Sequence, residues 1–421
     1  MHLLIVGAGS ELPPRARAAR PGLRTSVICQ QQAVPYLQEP ERIDRLVVLP
    51  QSAAVSEWVA AARFINDVAP VTWLANYTEY DTDKTAAIAQ ALGVTAPSAE
   101  TYRHISDKCA MRQRLAAAGV DDTPAAVAHT VEDIRLFGDQ AGYPLICKPL
   151  SGVGSRGVVL VRSADEIDQA FRHTTSAAES LDVTQVMVER FHHGREFSVE
   201  AVSEDGRHLV ACVTEKHLAS GFVEIGHVLP APLSPEVRSD IERTVGAALD
   251  ALGVQTGVTH TEVIVTPEHV RIIETHLRLA GDEIPQMLAR VSSIDLADAL
   301  VRQSVGMSVL DELEVAKRRF DAAPLYAAIW YAEPTADGVI ESIDGIDAAR
   351  LIPDVRDVSV TVGRGDRISP LTMSRDRPAY AWATGTSARE ALDRARAAVG
   401  ELRFTTVADR QRGESAVVAG R

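Results

Sequence analysis

The chain has 421 residues, 46% of them hydrophobic and 24% charged, with a formal net charge of -14 at pH 7. This length suggests two to three domains of an enzyme-sized globular protein with an ample core. The acidic balance argues against non-specific attraction to nucleic acid or to an anionic membrane, while leaving room for a local basic pocket that takes a polyanionic nucleotide.

The N-terminus, MHLLIVGAGSELPPR, has no basic leader and only a short apolar stretch, so it reads as a first strand and not as a signal peptide. TSVICQ, RLVVLP and APVTWLA follow with Ala-rich helical stretches between some of them. Strands alternating with helices predict a parallel, Rossmann-like layer over about residues 1–95. Gly7 and Gly9 are weak support for a dinucleotide site, because the third glycine of that pattern would fall at Leu12. No run approaches the ~18 apolar residues of a membrane span. Cys29, Cys109, Cys147 and Cys212 show no C-x-x-C spacing, which argues against a disulfide framework or structural zinc and points to the cytoplasm.

SDKCAMRQRLAAAGV predicts a helix over 106–120, capped by Ser106 or Asp107 and stopped at Gly119. Lys108 at its start reads as surface charge or as a ligand for phosphate. Lys148 ends the apolar run PLICKPL, a costly place for an ammonium group unless an anion meets it. SGVGSRG follows, where Gly152, Gly154 and Gly157 would let backbone N–H groups converge on phosphate oxygens. A plain glycine-rich hairpin turn is the alternative. Beyond a helix at SADEIDQAFRHT come two β runs, QVMVERF and REFSVEAVSE, around the turn HHG, whose His192 and His193 read as exposed turn residues.

VTHTEVIVTPEHVRIIETH reads as a hairpin with its turn at 267–269. With Thr266 paired to Val270, Glu262 falls opposite Glu274. Alternation then sets Glu262, Ile264, Ile272 and Glu274 on one face, with His260 and His276 at its end. Like charges facing each other are unfavourable without compensation. Two facing carboxylates suit a hard cation such as Mg²⁺, which also keeps phosphate oxygens; a solvated sheet edge is the alternative. From about Pro324 the chain shows short β pieces (YAAIWYAEP, VSVTVGRGD, AYAWATGT), a last helix at SAREALDRARAAVGEL, and a polar tail from about residue 408.

Together these pieces resemble the ATP-grasp superfamily over roughly residues 1–405. The matching order is Lys108 in its helix, Lys148 before SGVGSRGV, VMVERFHHGREFSVE, Glu262, then IIETHLRLAGD. The resemblance implies an α/β grasp fold: a Rossmann-like domain at 1–95, a two-part ATP-grasp domain at 96–310 with a lid about 125–190, and a β-rich module at 311–421. It implies that ATP lies between two antiparallel sheets. Lys108 and Lys148 would hold its phosphates together with the loop residues Ser151, Gly152, Gly154 and Ser155. Glu189, Arg190, Phe191 and His192 would line the adenine, and Glu196 would accept the ribose hydroxyls. Glu262 and Glu274 would bridge Mg²⁺ to the phosphates, and Arg278 would stabilise the transferred phosphoryl group.

His276 departs from the pattern, because the family shows Asn there. An imidazole suits softer metals, so either His276 binds the metal weakly, Mn²⁺ is favoured, or water takes the position. TEKHLASGFVEIGHVLPAPLS resembles the region of bacilysin-type L-amino acid ligases in which a Glu-x-x-His pair, here Glu224 and His227, shapes an amino acid pocket; a plain strand with a solvated Glu is the alternative. Gly281 and Asp282 would border that substrate site beside Arg278. The resemblance thus implies an ATP-dependent carboxylate–amine ligase that joins two amino acids through an acyl phosphate, with a homodimer plausible by analogy. A bicarbonate-activating ATP-grasp carboxylase is the runner-up, and a nucleotide-binding regulator without turnover is the non-enzyme alternative.

Overall fold

The computed structural model describes residues 1–407 except 10, 153, 180–184, 220 and 335–336, so the expected polar tail lies outside the described residues. The chain folds as two compact units. Met1–Ala126, His192–Val213 and Leu233–Ala322 form the first, and Val127–Phe191, Thr214–Pro232 and Ala323–Arg421 the second.

The first unit opens with four parallel strands, β1 (His2–Val6), β2 (Arg24–Gln30), β3 (Arg45–Leu49) and β4 (Trp73–Asn76), in the order β3-β2-β1-β4. Leu3 and Ile5 of β1 pack with Val27, Cys29 and Val301, whereas Leu4 and Val6 pack with Trp58, Ile65 and Ile88. Both faces are therefore covered, which is why these strands read as unbroken apolar runs and not as alternating ones. This is the parallel layer expected over 1–95. The helix expected over 106–120 is Lys108–Ala117, with Asp107 as its cap and Gly119 at positive φ just beyond its end, and a separate helix, Ala99–Ser106, precedes it. Asp107 breaks the run: its carboxylate accepts the N–H groups of Cys109 and Ala110, each at 2.9 Å, and so restarts the helix as an N-cap. Lys108 is thereby the first residue of the second helix.

In the second unit a small sheet is built from β5 (Ala125–Ala128), β6 (Leu145–Pro149), β7 (Val159–Val161) and β8 (Val186–Arg190), in the order β5-β8-β6-β7. β9 (Arg195–Glu204) returns to the first unit, and β10 (Arg207–Leu218) carries the chain from the first unit into the second. There β10 pairs antiparallel with β11 (Glu224–Leu229). The helix Pro235–Leu252 then leads, in the first unit, to β12 (Gly257–Val265) and β13 (Val270–His276), with β12 antiparallel to both β9 and β13.

The C-terminal part holds β14 (Tyr326–Tyr331), β15 (Gly338–Asp344), β16 (Val355–Val360), β17 (Arg367–Ile368), β18 (Ala379–Gly385) and β19 (Arg403–Val407). β11, β14, β18 and β16 are neighbours in that order, and β17, β15 and β19 form a separate sheet. The last helix, Ala388–Glu401, lays Ala391, Ala395 and Ala398 against the small residues Ala381 and Ala383 of β18, so its close approach follows from alanine on both sides. No helix among the described residues is long and apolar enough to cross a membrane. None of the four cysteines, all buried, is in a disulfide.

Candidate active site

The β12–β13 hairpin carries the acid pair, and its register has a kink. Val265 pairs with Val270, Ile264 with Arg271 and Val263 with Ile272; the register then shifts, and Glu262 pairs with Glu274, Thr261 with Thr275 and His260 with His276. The turn is therefore the four residues 266–269, one position off the expected pairing of Thr266 with Val270. Ile273 is the extra residue of a β-bulge that restores the register. One expectation falls with this: Ile272 does not share the face of the two acids, because it pairs with Val263, whereas Ile264 does. Glu262 opposite Glu274 holds.

The bulge is held from outside the hairpin. Arg112 donates through Nη1 to Ile272 O and through Nη2 to Ile273 O, the latter at 3.2 Å, while the buried Asp121 carboxylate accepts the Ile272 N–H at 2.7 Å. Backbone groups that a bulge leaves without ladder partners are satisfied this way. Arg112 lies four residues, about one turn, after Lys108 on the same helix, and Lys108 Nζ sits 2.8 Å from Glu274 Oε2. The helix that supports the kink thus also supplies the ammonium group that meets the acid.

Two imidazoles flank the pair. His276 stands between Glu274 Oε1 (3.0 Å from Nε2) and Glu79 Oε2 (3.2 Å from Nδ1). His260 stands between Glu200 Oε1 (2.9 Å from Nδ1) and Glu262 Oε1 (3.5 Å from Nε2). The rings stack with centroids 6.1 Å apart. Burial works against the charged form of both rings, but the neighbouring acids outweigh it: Glu200 and then Glu262 push His260 up to about 10, and Glu274 with Glu79 raises His276. Burial would likewise raise the Glu79 carboxyl, yet His276 and Arg278 hold it below the usual carboxylate range. Arg278 Nε donates to Glu79 Oε2 at 3.0 Å and Nη1 to Leu279 O at 2.8 Å. Gly281 and the positive-φ Asp282 follow at the start of the helix Ile284–Val291.

Glu79 was not singled out by the sequence. Its one signal is position, just beyond the C-terminal end of the parallel strand β4, where open α/β sheets place functional groups. Glu196 lies on β9 opposite Ile264, and Ser198 opposite Glu262; alternation puts both on the face of Glu200, His260 and Glu262. His192 is tied by Nε2 to Thr123 Oγ1 at 2.9 Å. A cavity of about 700 Å³ in this unit lies among Trp73, Tyr77, Tyr102, Val254 and Leu277, but none of Glu79, Lys108, Glu262, Glu274 and Arg278 lines it. The chemistry-bearing groups are therefore elsewhere.

In the second unit Lys148, buried within β6, meets its anion in Glu189 Oε1 of the neighbouring β8. Arg190 is exposed at the end of β8, and Phe191 packs edge-on against Phe222 with centroids 6.1 Å apart. Between β6 and β7 run Ser151, Gly152, Gly154 and Ser155, the last three at positive φ, with Ser155 Oγ donating to Phe222 O at 2.9 Å. Gly157 (φ +76°) also needs its lack of a side chain, since a Cβ there would come within 2.5 Å of Ala177 Cβ.

Glu224 and His227 are three apart, which in a plain strand would put them on opposite faces. A bulge at Ile225 corrects this. Leu218 pairs with Glu224 but His217 with Gly226 and Lys216 with His227, so Glu224 and His227 share a face with Lys216. Lys216 Nζ lies 3.2 Å from Glu224 Oε1, and Ser374 Oγ donates to Glu224 Oε2 at 2.8 Å. The Glu224 carboxylate is thus anchored at both oxygens, a feature the sequence did not disclose because it depends on the bulge at Ile225 and on Ser374 from a distant segment.

The residues present fit a hard divalent ion. Glu262 and Glu274 oppose each other as oxygen donors. A hard divalent ion takes one or two carboxylates and completes its shell with phosphate and water.

Comparison with known proteins gives two domain matches and a shared fold. Residues 141–286 match the ATP-grasp domain, and residues 330–407 match the L-amino acid ligase C-terminal domain 2. An uncharacterised protein of Sinorhizobium fredii is 30% identical over 282 residues, covering 67% of this chain and 57% of that protein. An alanine–anticapsin ligase of Bacillus subtilis is 25% identical over 294 residues, covering 62% of this chain and 61% of the ligase. These matches span only about three fifths of each relative's length. The crystal structure of an L-amino acid ligase from Bacillus licheniformis superposes with a TM-score of 0.79 at 23% identity, covering 96% of this chain and 98% of that one. The chain thus has an ATP-grasp fold, with a match to the ATP-grasp domain over residues 141–286 followed by a match to the C-terminal domain 2 of L-amino acid ligases over residues 330–407.

Proposed function

We propose that this protein is an ATP-dependent carboxylate–amine ligase that joins two amino acids, or an amino acid and a related amine, with release of ADP and phosphate. The observation that carries the reading is the opposed pair Glu262 and Glu274 with Lys108 on Glu274 and, four residues past Glu274, Arg278. The relatives' names and the C-terminal domain match support the choice of amino acid ligation within the superfamily.

In the first step an oxygen of the substrate carboxylate attacks the γ-phosphorus and the bond to the bridging oxygen of ADP breaks, giving an acyl phosphate. In the second, the amine nitrogen attacks the acyl carbon, the carbon–oxygen bond to phosphate breaks, and the amine proton is lost to a base. Glu224 and His227 are the candidates for shaping the amine pocket, and Gly281 and Asp282 are further candidates for contact with substrate. Lys108, Lys148 and the 151–155 loop would hold phosphate oxygens, Glu189 to His192 the adenine, and Glu196 the ribose. Glu262 and Glu274 would hold Mg²⁺, or Mn²⁺, which supplies positive charge to the phosphates. His276, with both nitrogens on carboxylates, is read as a cation between Glu274 and Glu79 and not as a metal ligand. Arg278 presents a guanidinium to the charge that develops on transfer.

The test is ADP release from pairwise mixtures of amino acids with Mg²⁺ or Mn²⁺, products being weighed by mass spectrometry. Amino-acid-dependent ADP release with a condensed product is expected, and chelation with EDTA should abolish it. Release that depends on bicarbonate and not on amino acids would favour a carboxylase instead.

A further inference from the structure

His260 and Glu200 are absorbed by no step of the proposed reaction, yet they sit against its acid pair. They oppose each other directly across β9 and β12. Glu200 is completely buried, and its Oε2 has no hydrogen-bond partner among the described residues. His260 is 8% exposed, with Nδ1 on Glu200 and Nε2 3.5 Å from Glu262 Oε1.

A plain stability role fits this poorly. A buried ion pair is often no better for stability than apolar residues of the same volume, and a buried carboxylate oxygen without a partner is a net cost. The neighbouring relay has the same form: Glu79 backs His276, which meets Glu274. Two imidazoles, stacked on each other, each backed by a distal acid, thus reach one carboxylate of the opposed pair apiece. Groups behind a metal ligand commonly fix its orientation in this way.

We propose that Glu200 and His260 are positioning residues for Glu262: Glu200 orients the imidazole through Nδ1, so that Nε2 restrains the Glu262 carboxylate where it faces Glu274. The inference rests on the reading of Glu262 and Glu274 as the carboxylates that hold a divalent ion with nucleotide. It assigns to this chain two residues that act on the ion only through another side chain.

The experiment is binding of Mn²⁺ to the full chain with saturating ADP, followed by electron paramagnetic resonance, beside ADP binding without metal and thermal melting. His260→Ala should weaken Mn²⁺ binding roughly 10- to 100-fold, with metal-free ADP binding unchanged. His260→Gln, which keeps an N–H donor, should recover part of that loss. Glu200→Gln should weaken Mn²⁺ binding without lowering the melting temperature, which a structural role would not allow. Should His260→Ala misfold, the Gln substitutions at 260 and 200 carry the test alone. Wild-type Mn²⁺ affinity in folded His260 and Glu200 variants would overturn the proposal while leaving the ligase reading intact. A wild-type protein with no Mn²⁺-dependent ADP complex would overturn that reading, and this inference with it.

Discussion

Arg278 and Glu79 decide most at the scale of single residues. The guanidinium is held by Glu79 Oε2 and Leu279 O, so its position is set before any substrate arrives, and preorganised charge is what stabilises phosphoryl transfer. Arg278→Ala is expected to lower turnover on the order of 10²–10³-fold with nucleotide affinity largely kept, which ADP release measured beside calorimetric nucleotide binding would check. Glu79→Ala should also slow turnover, since it removes the acid shared by His276 and Arg278. Arg278, Glu262 and Glu274 were legible in the sequence because each is an isolated charge in or beside an apolar strand. Glu79 was not, because it sits in a polar loop where an acid needs no explanation. Its role appears only once residues 199 apart in the chain are brought together.

Strand irregularities govern the site at the scale of elements. The bulge at Ile273 leaves Glu274 opposite Glu262 although the hairpin turn is one residue away from the register expected. The bulge at Ile225 turns a Glu-x-x-His spacing, which suits a helix better than a strand, into two side chains on one face. Sequence periodicity located the strands but not the bulges, since the extra residues, Ile273 and Ile225, are apolar side chains as ordinary in a regular strand as in a bulge. The close approach of Gly157 to Ala177 of the helix Ile167–Glu179 gives a test at this scale. Gly157→Ala meets Ala177 Cβ at 2.5 Å and forces a side chain into positive φ, so the melting temperature should fall, by about 1–3 kcal/mol of stability. Adding Ala177→Gly should restore part of the loss, because it relieves the clash and leaves the backbone strain.

At the scale of the whole molecule, Asp121 links the Lys108 helix to the hairpin within the first unit. It is buried, accepts from Ile272 N and Thr123, and lies beside the buried Arg112. Burial would raise its carboxyl, but the Arg112 charge and the hydrogen bonds from Thr123 and Ile272 hold it below its ordinary value of 3.8. A depressed carboxylate contributes stability above the unfolded value and loses it as pH falls through the folded one. Asp121→Ala should therefore cost about 3–5 kcal/mol near neutrality by taking the opposite charge away from the buried Arg112, which keeps its hydrogen bonds to Ile272 O and Ile273 O. In denaturant titrations, the gap between wild type and Asp121→Asn should close as pH drops below 3.8. By itself the sequence determined the alternation of strands and helices, the lysines at buried or capped positions, and the opposition of two acids, because those follow from short-range spacing and the chemistry of each residue type. Only the tertiary structure decided what meets those acids. Glu79, Glu200, Lys216 and Arg112 reach their partners across turns, bulges and neighbouring elements, and a chain's local pattern carries no record of which distant backbone will fold beside it.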